Sequence, residues 1–159
     1  MNIRVCTIGK LRSSNFKAGV EDYLARIGKK HTIDLVEVEA EKISPKPNLS
    51  EISKALEKEA SRLEKFFSPQ RTVIALSPKG KPFDSLGFSK WLGGQSQTGK
   101  NEIIFLIGGA HGLHEGLLKK TAPQVSLSPL TYSHELALVV LLEQLYRGFS
   151  ILEGAPYHK

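Results

Sequence analysis

Residues 103–107 read IIFLI, an unbroken apolar run that stops at Gly108 and Gly109, with Gly112 and Gly116 close behind. A run this short and this apolar suits a strand covered on both faces, and such strands belong to sheets whose crossovers are helices. The glycines mark a strand end where backbone must approach something closely or turn at positive φ. The pattern leaves two readings open. Either a ligand lies against bare backbone, or the glycines make a tight turn between strand and helix.

The rest of the chain repeats the alternation. IRVCTIG at 3–9 is strand-like, and NFKAGVEDYLARIG sets Phe16, Val20, Leu24 and Ile27 on one helical face. TIDLVEV at 32–38 carries Ile33 and Leu35 on one face and Val36 and Val38 on the other, so it too expects cover on both sides. The stretch EKISPKPNLS, with two prolines, is a loop, and Ser50 opens a helix whose Ile52, Leu56, Leu63 and Phe66 point inward and whose charges form a solvated face. A strand at 72–76, a loop SPKGKPFDS, a short helix at 86–92, the strand at 103–107, a short helix after the glycine loop, a strand at 125–128 and a helix at 133–151 complete the order. The expectation is an α/β fold with a mostly parallel sheet flanked by helices, organised as a single domain over 1–159.

A chain of 159 residues with 40% apolar content can bury a substantial core, and its net charge of +6 favours an acidic partner such as nucleic acid; a basic protein that binds nothing acidic is the other reading. The single cysteine excludes an internal disulfide, and Cys6, inside an apolar run, is expected as a packed thiol. No basic-then-apolar leader is legible, and LALVVLL at 136–142 is too short to span a bilayer, so the expected compartment is the cytoplasm, with no membrane.

Ligands of open α/β sheets sit beyond the carboxyl ends of strands. Three such ends carry distinctive loops here: Leu76 before SPKGK, Gly108 and Gly109 before AHG, and LSPLTYS at 127–133. GGAHGLHEG lacks the Lys-Ser/Thr pair of a phosphate-cradling loop, and HELAL has Leu138 where a zinc-protease helix needs its second histidine. His111 and His114 stand without acidic or thiol companions at metal spacing, so no metal is expected. The last helix is apolar nearly all round and should be buried against the sheet or a second subunit, with Glu143 and Arg147 paired together or across an interface. Tyr157, His158 and Lys159 offer an aromatic face, an imidazole and a cation suited to a splayed RNA base and its phosphates; a frayed polar tail is the other reading.

Taken in order, IGKL, EDYLAR, KEA, LSPKGKPFDS, FLIGGAHG, VSLSPLT, EQLYR and PYHK span essentially the whole chain. Together they resemble the small trefoil-knotted SPOUT-class methyltransferases that act on N3 of a pseudouridine in bacterial 23S ribosomal RNA. The resemblance implies a deep trefoil knot over about 70–159, an exception to the unthreaded connections of most folds. It also implies a homodimer, S-adenosylmethionine as methyl donor, and as substrate the helix 69 loop of the large subunit or assembled ribosome. Carried over by motif, the cofactor pocket comprises Leu76, Gly108, Gly109, Leu127, Ser128, Pro129, Leu130, Thr131 and Tyr132. His134, Arg147, Tyr157 and His158 are the catalytic and substrate-placing candidates, with the tail of one subunit completing the pocket of the other. Family members usually carry an arginine four residues after the histidine of the last helix, and this chain has Leu138. That departure motivates an alternative, a non-catalytic ribosome-binding or assembly factor that keeps the fold. A knotted enzyme acting on transfer RNA would be expected to lack the PYHK ending.

Overall fold

A computed structural model describes residues 1–121 and 124–158; Lys159 of the expected tail motif lies outside the described residues. Among them, strands β1 (Asn2–Ile8), β2 (Thr32–Val38), β3 (Arg71–Pro82), β4 (Glu102–Ile107) and β5 (Gln124–Ser126) alternate with helices α1 (Ser14–Gly28), α2 (Leu49–Glu64), α3 (Ser85–Gln95), α4 (Glu115–Lys120) and α5 (His134–Leu152). The strands make one sheet in the order β2-β1-β4-β3-β5, with every neighbouring pair parallel.

Alternation along each strand divides the core in two. Ile3, Val5, Ile103, Phe105 and Ile107 face α1, α3 and α5, where Val20, Leu92, Leu141 and Phe149 meet them. Cys6, Ile8, Ile104 and Leu106 face the other way, against Leu63 of α2 and Leu117 of α4. β4 is buried at every position because it has β1 on one side, β3 on the other and helices over both faces. β2 lies at the sheet edge, so its apolar residues are covered on both faces but only partly, apart from Val38.

Three details differ from the sequence reading. β3 does not stop at Leu76; it runs on through SPKGKP and pairs with β5 across an irregularity between Leu76 and Lys81. Pro78, Gly80 and Pro82 read as loop punctuation, but Gly80 serves closeness: a Cβ there would lie 2.7 Å from the Val125 carbonyl carbon. Secondly, α2 is capped by Asn48 rather than opened by Ser50. The Asn48 side chain accepts from the Glu51 amide, and the Glu51 carboxylate accepts from the Asn48 amide. Thirdly, Glu59 of α2 is buried instead of lying on the solvated face, and its carboxylate accepts from the Glu41 amide at 2.8 Å.

Ionic groups gather at the amino end of the sheet, where buried Glu102 is held by Arg4 at 3.0 Å and Arg71 at 2.8 Å. The carboxyl end is left to loops. Among the described residues no helix is long and apolar enough to cross a membrane.

Candidate functional site

A cleft of about 680 Å³ opens beyond the end of β4, beside the irregular middle of β3. Its floor is the Gly108–Gly112 loop, one wall is Leu76–Pro78, and the other is the segment following β5; the first turn of α5 closes the end. The Ser126 hydroxyl ties the two walls together, contacting the carbonyls of Pro78 at 3.3 Å and Ser128 at 3.0 Å. The Ser128 hydroxyl in turn accepts from the Leu130 amide at 3.0 Å, which fixes the exit of the wall segment. Ser133 caps α5 by accepting from the Leu136 amide, so the helix starts at a set angle beside the cleft.

The glycine question from the sequence is answered mainly by the loop itself. The Gly112 amide donates to the Gly109 carbonyl at 3.0 Å, and Gly112 has φ +79°. A Cβ on Gly108 would stand 2.5 Å from the Gly112 carbonyl carbon, and one on Gly109 would stand 3.1 Å from Ile8 Cγ2. Gly108 is therefore demanded by the turn's own backbone, and the resulting flat floor is what a ligand would rest on.

Of the residues carried over as a cofactor pocket, Leu76, Gly108, Gly109, Leu127, Ser128, Leu130, Thr131 and Tyr132 line the cleft, and Pro129 does not. Ser77, Ala110, His111 and Ala137 also line it and were not singled out for the pocket. Their signal was available in adjacency: each neighbours, or lies one helical turn from, a residue already named. Among the described residues the lining contains no Lys, Arg, Asp or Glu. Its side chains offer hydroxyls, imidazoles and apolar walls, which suits a ligand read through neutral donors, acceptors and stacking faces.

His134 faces this cleft from the first turn of α5. Gly9, at φ +101°, lets the imidazole come against the end of β1: a Cβ there would be 3.2 Å from His134 Nε2. Nε2 lies 3.3 Å from the Lys10 carbonyl, an acceptor only, so the contact selects the tautomer with the proton on Nε2 and leaves Nδ1 as acceptor.

The other three catalytic candidates gather near the far end of α5. Arg147 Nε donates to Glu143 Oε1 at 3.0 Å, and the Tyr157 hydroxyl donates to the same oxygen at 3.2 Å. His158 Nδ1 is 3.4 Å from Arg147 Nη1, and the guanidinium lies 4.7 Å from the Tyr157 ring centroid. The Tyr23 hydroxyl of α1 is 3.4 Å from that of Tyr157, whose ring stands edge-on to Tyr146. The Tyr23 contact, burial and the Glu143 charge all push the Tyr157 phenol well above its ordinary range, so it stays protonated. Hydrogen bonding to Glu143 likewise raises the Arg147 guanidinium. The expected Glu143–Arg147 pair thus forms within one chain, half-buried rather than buried. Tyr157 and His158 are packed rather than frayed.

The four candidates do not meet. Positions 134 and 147 are separated by about 20 Å along a helix rising ~1.5 Å per residue. The chain carries a cleft with His134 at one end of α5 and a cationic aromatic cluster at the other.

Cys6 is fully buried and its thiol is pushed up to about 12 by desolvation, as a packed residue should be. His114 caps the start of α4, its Nδ1 accepting from the Gly116 amide at 3.2 Å. Leu138 is wholly inside the core among α5 neighbours and is absent from the cleft lining.

A family model described as predicted SPOUT methyltransferase matches residues 1–158. Proteins of Clostridium kluyveri and Syntrophomonas wolfei, each named Ribosomal RNA large subunit methyltransferase H, are 38% and 35% identical to this chain, with all of both chains covered. Among solved structures, a probable methylase family protein from Haemophilus influenzae superposes with a TM-score of 0.59 at 14% identity, covering 99% of this chain and 70% of that one. A Legionella pneumophila structure with the cofactor SAM bound gives a TM-score of 0.50 at 12% identity, covering 91% and 65%. At those identities the two structures speak for the fold.

Proposed function

The chain belongs to the SPOUT methyltransferase family, and on that premise we propose that it methylates N3 of a pseudouridine in 23S ribosomal RNA, using S-adenosylmethionine. The observation that carries this reading is the neutral cleft beyond the carboxyl end of β4 and beside the middle of β3, lined by nearly all the residues that the family motifs nominate. The target is read as the helix 69 loop of the large subunit or assembled ribosome. The enzyme is read as a cytoplasmic homodimer without a metal, its chain a single domain knotted over about 70–159.

The cleft fits the cofactor in size and chemistry. Its volume lies within the roughly 300–1,000 Å³ of small-molecule sites. Leu76, Leu127, Ile107 and Ala137 would cover an adenosine, and the Gly108–Gly112 floor together with Ser128 and Thr131 would supply short polar contacts. When bound, S-adenosylmethionine supplies an electrophilic methyl on a sulfonium. An uncharged lining suits that chemistry, because the attacking nitrogen is anionic and the two charges cancel as the methyl moves.

The chain's own residues then have two tasks. His134 Nδ1, left free by the Lys10 contact, accepts the N3 proton of the pseudouridine. Arg147, braced by Glu143, grips phosphate or a base carbonyl, while the Tyr157 phenol and the His158 ring present stacking faces beside it. Because Arg147 and His134 lie at opposite ends of one helix, the reading requires the tail of one subunit to enter beside the cleft of another. Most of the catalysis is positioning of the acceptor in line with the breaking bond.

The burial of Leu138 bears on the non-catalytic alternative. Its side chain packs in the core and takes no group away from the cleft, which favours an active enzyme over a pure binder. The test is tritiated methyl transfer from S-adenosylmethionine to ribosomes and free large subunits from cells lacking this protein, with mass mapping of the labelled nucleoside. Label on N3 of a pseudouridine is expected. Cofactor binding with no label would favour the binding factor, and label on another nucleoside would replace the substrate.

A further inference from the structure

The loop between β1 and α1, residues 9–13, is held through four of its five backbone amides. The Gly9 amide donates to the Val38 carbonyl at 2.9 Å, and the Leu11 amide donates to Glu37 Oε1 at 2.7 Å. The amides of Arg12 and Ser13 both donate to Glu135 Oε1, the latter at 3.0 Å. His134 contacts the Lys10 carbonyl and packs over Gly9. The amides of Ser13 and Arg12 hold the Glu135 carboxyl below the usual carboxylate range, so it remains an anion aimed at the loop backbone.

This bracing has an electrostatic consequence. Glu37 and Glu135, the carboxylates facing the loop, direct their oxygens at amides and not at the loop's cations. Lys10 and Arg12 are exposed, and among the described residues neither forms an ion pair, whereas Arg26, Arg62, Arg71 and Arg147 are each engaged by a carboxylate. The Lys10 carbonyl meets His134 and the Arg12 amide meets Glu135, so both cations are carried on an already ordered backbone next to the start of α5, whose first turn lines the cleft. The β3 side of the cleft has a counterpart: Lys79 follows the lining residues Ser77 and Pro78, is exposed, and likewise forms no ion pair among the described residues. In the sheet order, β1 and β3 flank β4, so these cations bracket the glycine floor from two sides.

We propose that Lys10 and Arg12, with Lys79 across the cleft, form a phosphate-binding surface that grips the RNA backbone on both sides of the nucleotide entering the cleft. The inference rests on the RNA-methylation reading and adds a surface that the reading does not specify. Exposed cations without carboxylate partners release counterions when they meet phosphates, and a pre-braced loop loses little freedom on binding. Arg12 can address two phosphate oxygens at once, while Lys10 and Lys79 act as point charges.

The test is the affinity of the full-length protein for ribosomes from cells lacking it, measured across a salt series. Compared are wild type, the Lys10→Ala/Arg12→Ala double variant, Lys79→Ala, and Lys54→Ala on the exposed face of α2. The double variant is expected to bind about tenfold or more weakly near 0.1 M salt, and its log–log salt slope to fall by roughly 0.7–0.9 for each lost contact. Lys79→Ala should lose about one such contact, Arg12→Lys should keep the slope, and S-adenosylmethionine affinity should hold in all of them. An unchanged slope in the double variant, or an equal loss in Lys54→Ala, would overturn the surface. Methyl transfer by the wild type, measured in parallel, separates the two claims. Slope loss without any transfer keeps the surface and removes the methylation reading; transfer with unchanged slopes removes the surface alone.

Discussion

The two ends of α5 are built differently. At the start, His134 is set into a finished cleft: floor, walls and capped helix all come from one chain, with hydrogen bonds that join the walls and cap the helix. Towards the other end, Glu143 and Arg147 of α5 and Tyr157 and His158 of the tail form an ordered cluster beside Tyr23 of α1, yet they line no part of that cleft. One end is a container and the other a tool without a container. A helix about 20 Å long between them, at ~1.5 Å per residue, cannot bring them together, so a chain with both must use them across copies or for separate purposes.

Variants should separate the ends cleanly. The largest effect is expected from Arg147→Ala or removal of Tyr157–Lys159: methyl transfer should fall by about 10³-fold or more through lost positioning and charge, while cofactor affinity measured by calorimetry stays within about twofold. A truncated enzyme with near-normal turnover would deprive the tail cluster of its role. Next comes Gly108→Val, which forces a side chain against Gly112 backbone 2.5 Å from the added Cβ. It should cost cofactor affinity by about 100-fold or more and lower the melting temperature, because the turn itself must move. Gly109→Ala, whose Cβ meets only the Ile8 side chain at 3.1 Å, should lose just a fewfold. Equal losses in the two would mean that a ligand, not the turn, demands the glycines.

The smallest effect concerns the brace at the cleft end. Backbone amides of Ser13 and Arg12 depress the Glu135 carboxyl in the folded protein, so its contribution to stability is present above the unfolded value of about 4.3 and disappears as pH falls through the lowered folded value. Glu135→Gln should therefore melt below wild type at neutral pH, and the two melting curves should converge in acid. A gap that persists unchanged at low pH would remove the charge from the account.

The alternation of elements was legible because each strand is a short apolar run with helical periodicity between, and most boundaries agree closely with the structure. What failed was legible only in three dimensions. Pro78, Gly80 and Pro82 mimic a loop, since nothing local reveals that β5 lies close enough to need Gly80. Glu59 looked like part of a solvated face because its amide partner, at Glu41, comes from another segment. The cleft lining was reached through family motifs rather than periodicity, and Pro129, adjacent in sequence to lining residues, is absent from the lining. The separation of His134 from the tail could be estimated from helical rise once α5 was taken as continuous, but not which residues would hold the tail: Tyr23, over a hundred positions earlier, carries no sequence mark of that contact.

The central claim is that a working site unites the cleft of one copy with the tail of another. The most direct measurement pairs a His134→Ala subunit with an Arg147→Ala subunit under two affinity tags and assays methyl transfer by the purified heterodimer. Each such dimer should contain one intact cleft facing one intact tail, giving about half the wild-type rate although each parent is nearly inactive. A heterodimer no more active than its parents would contradict the account.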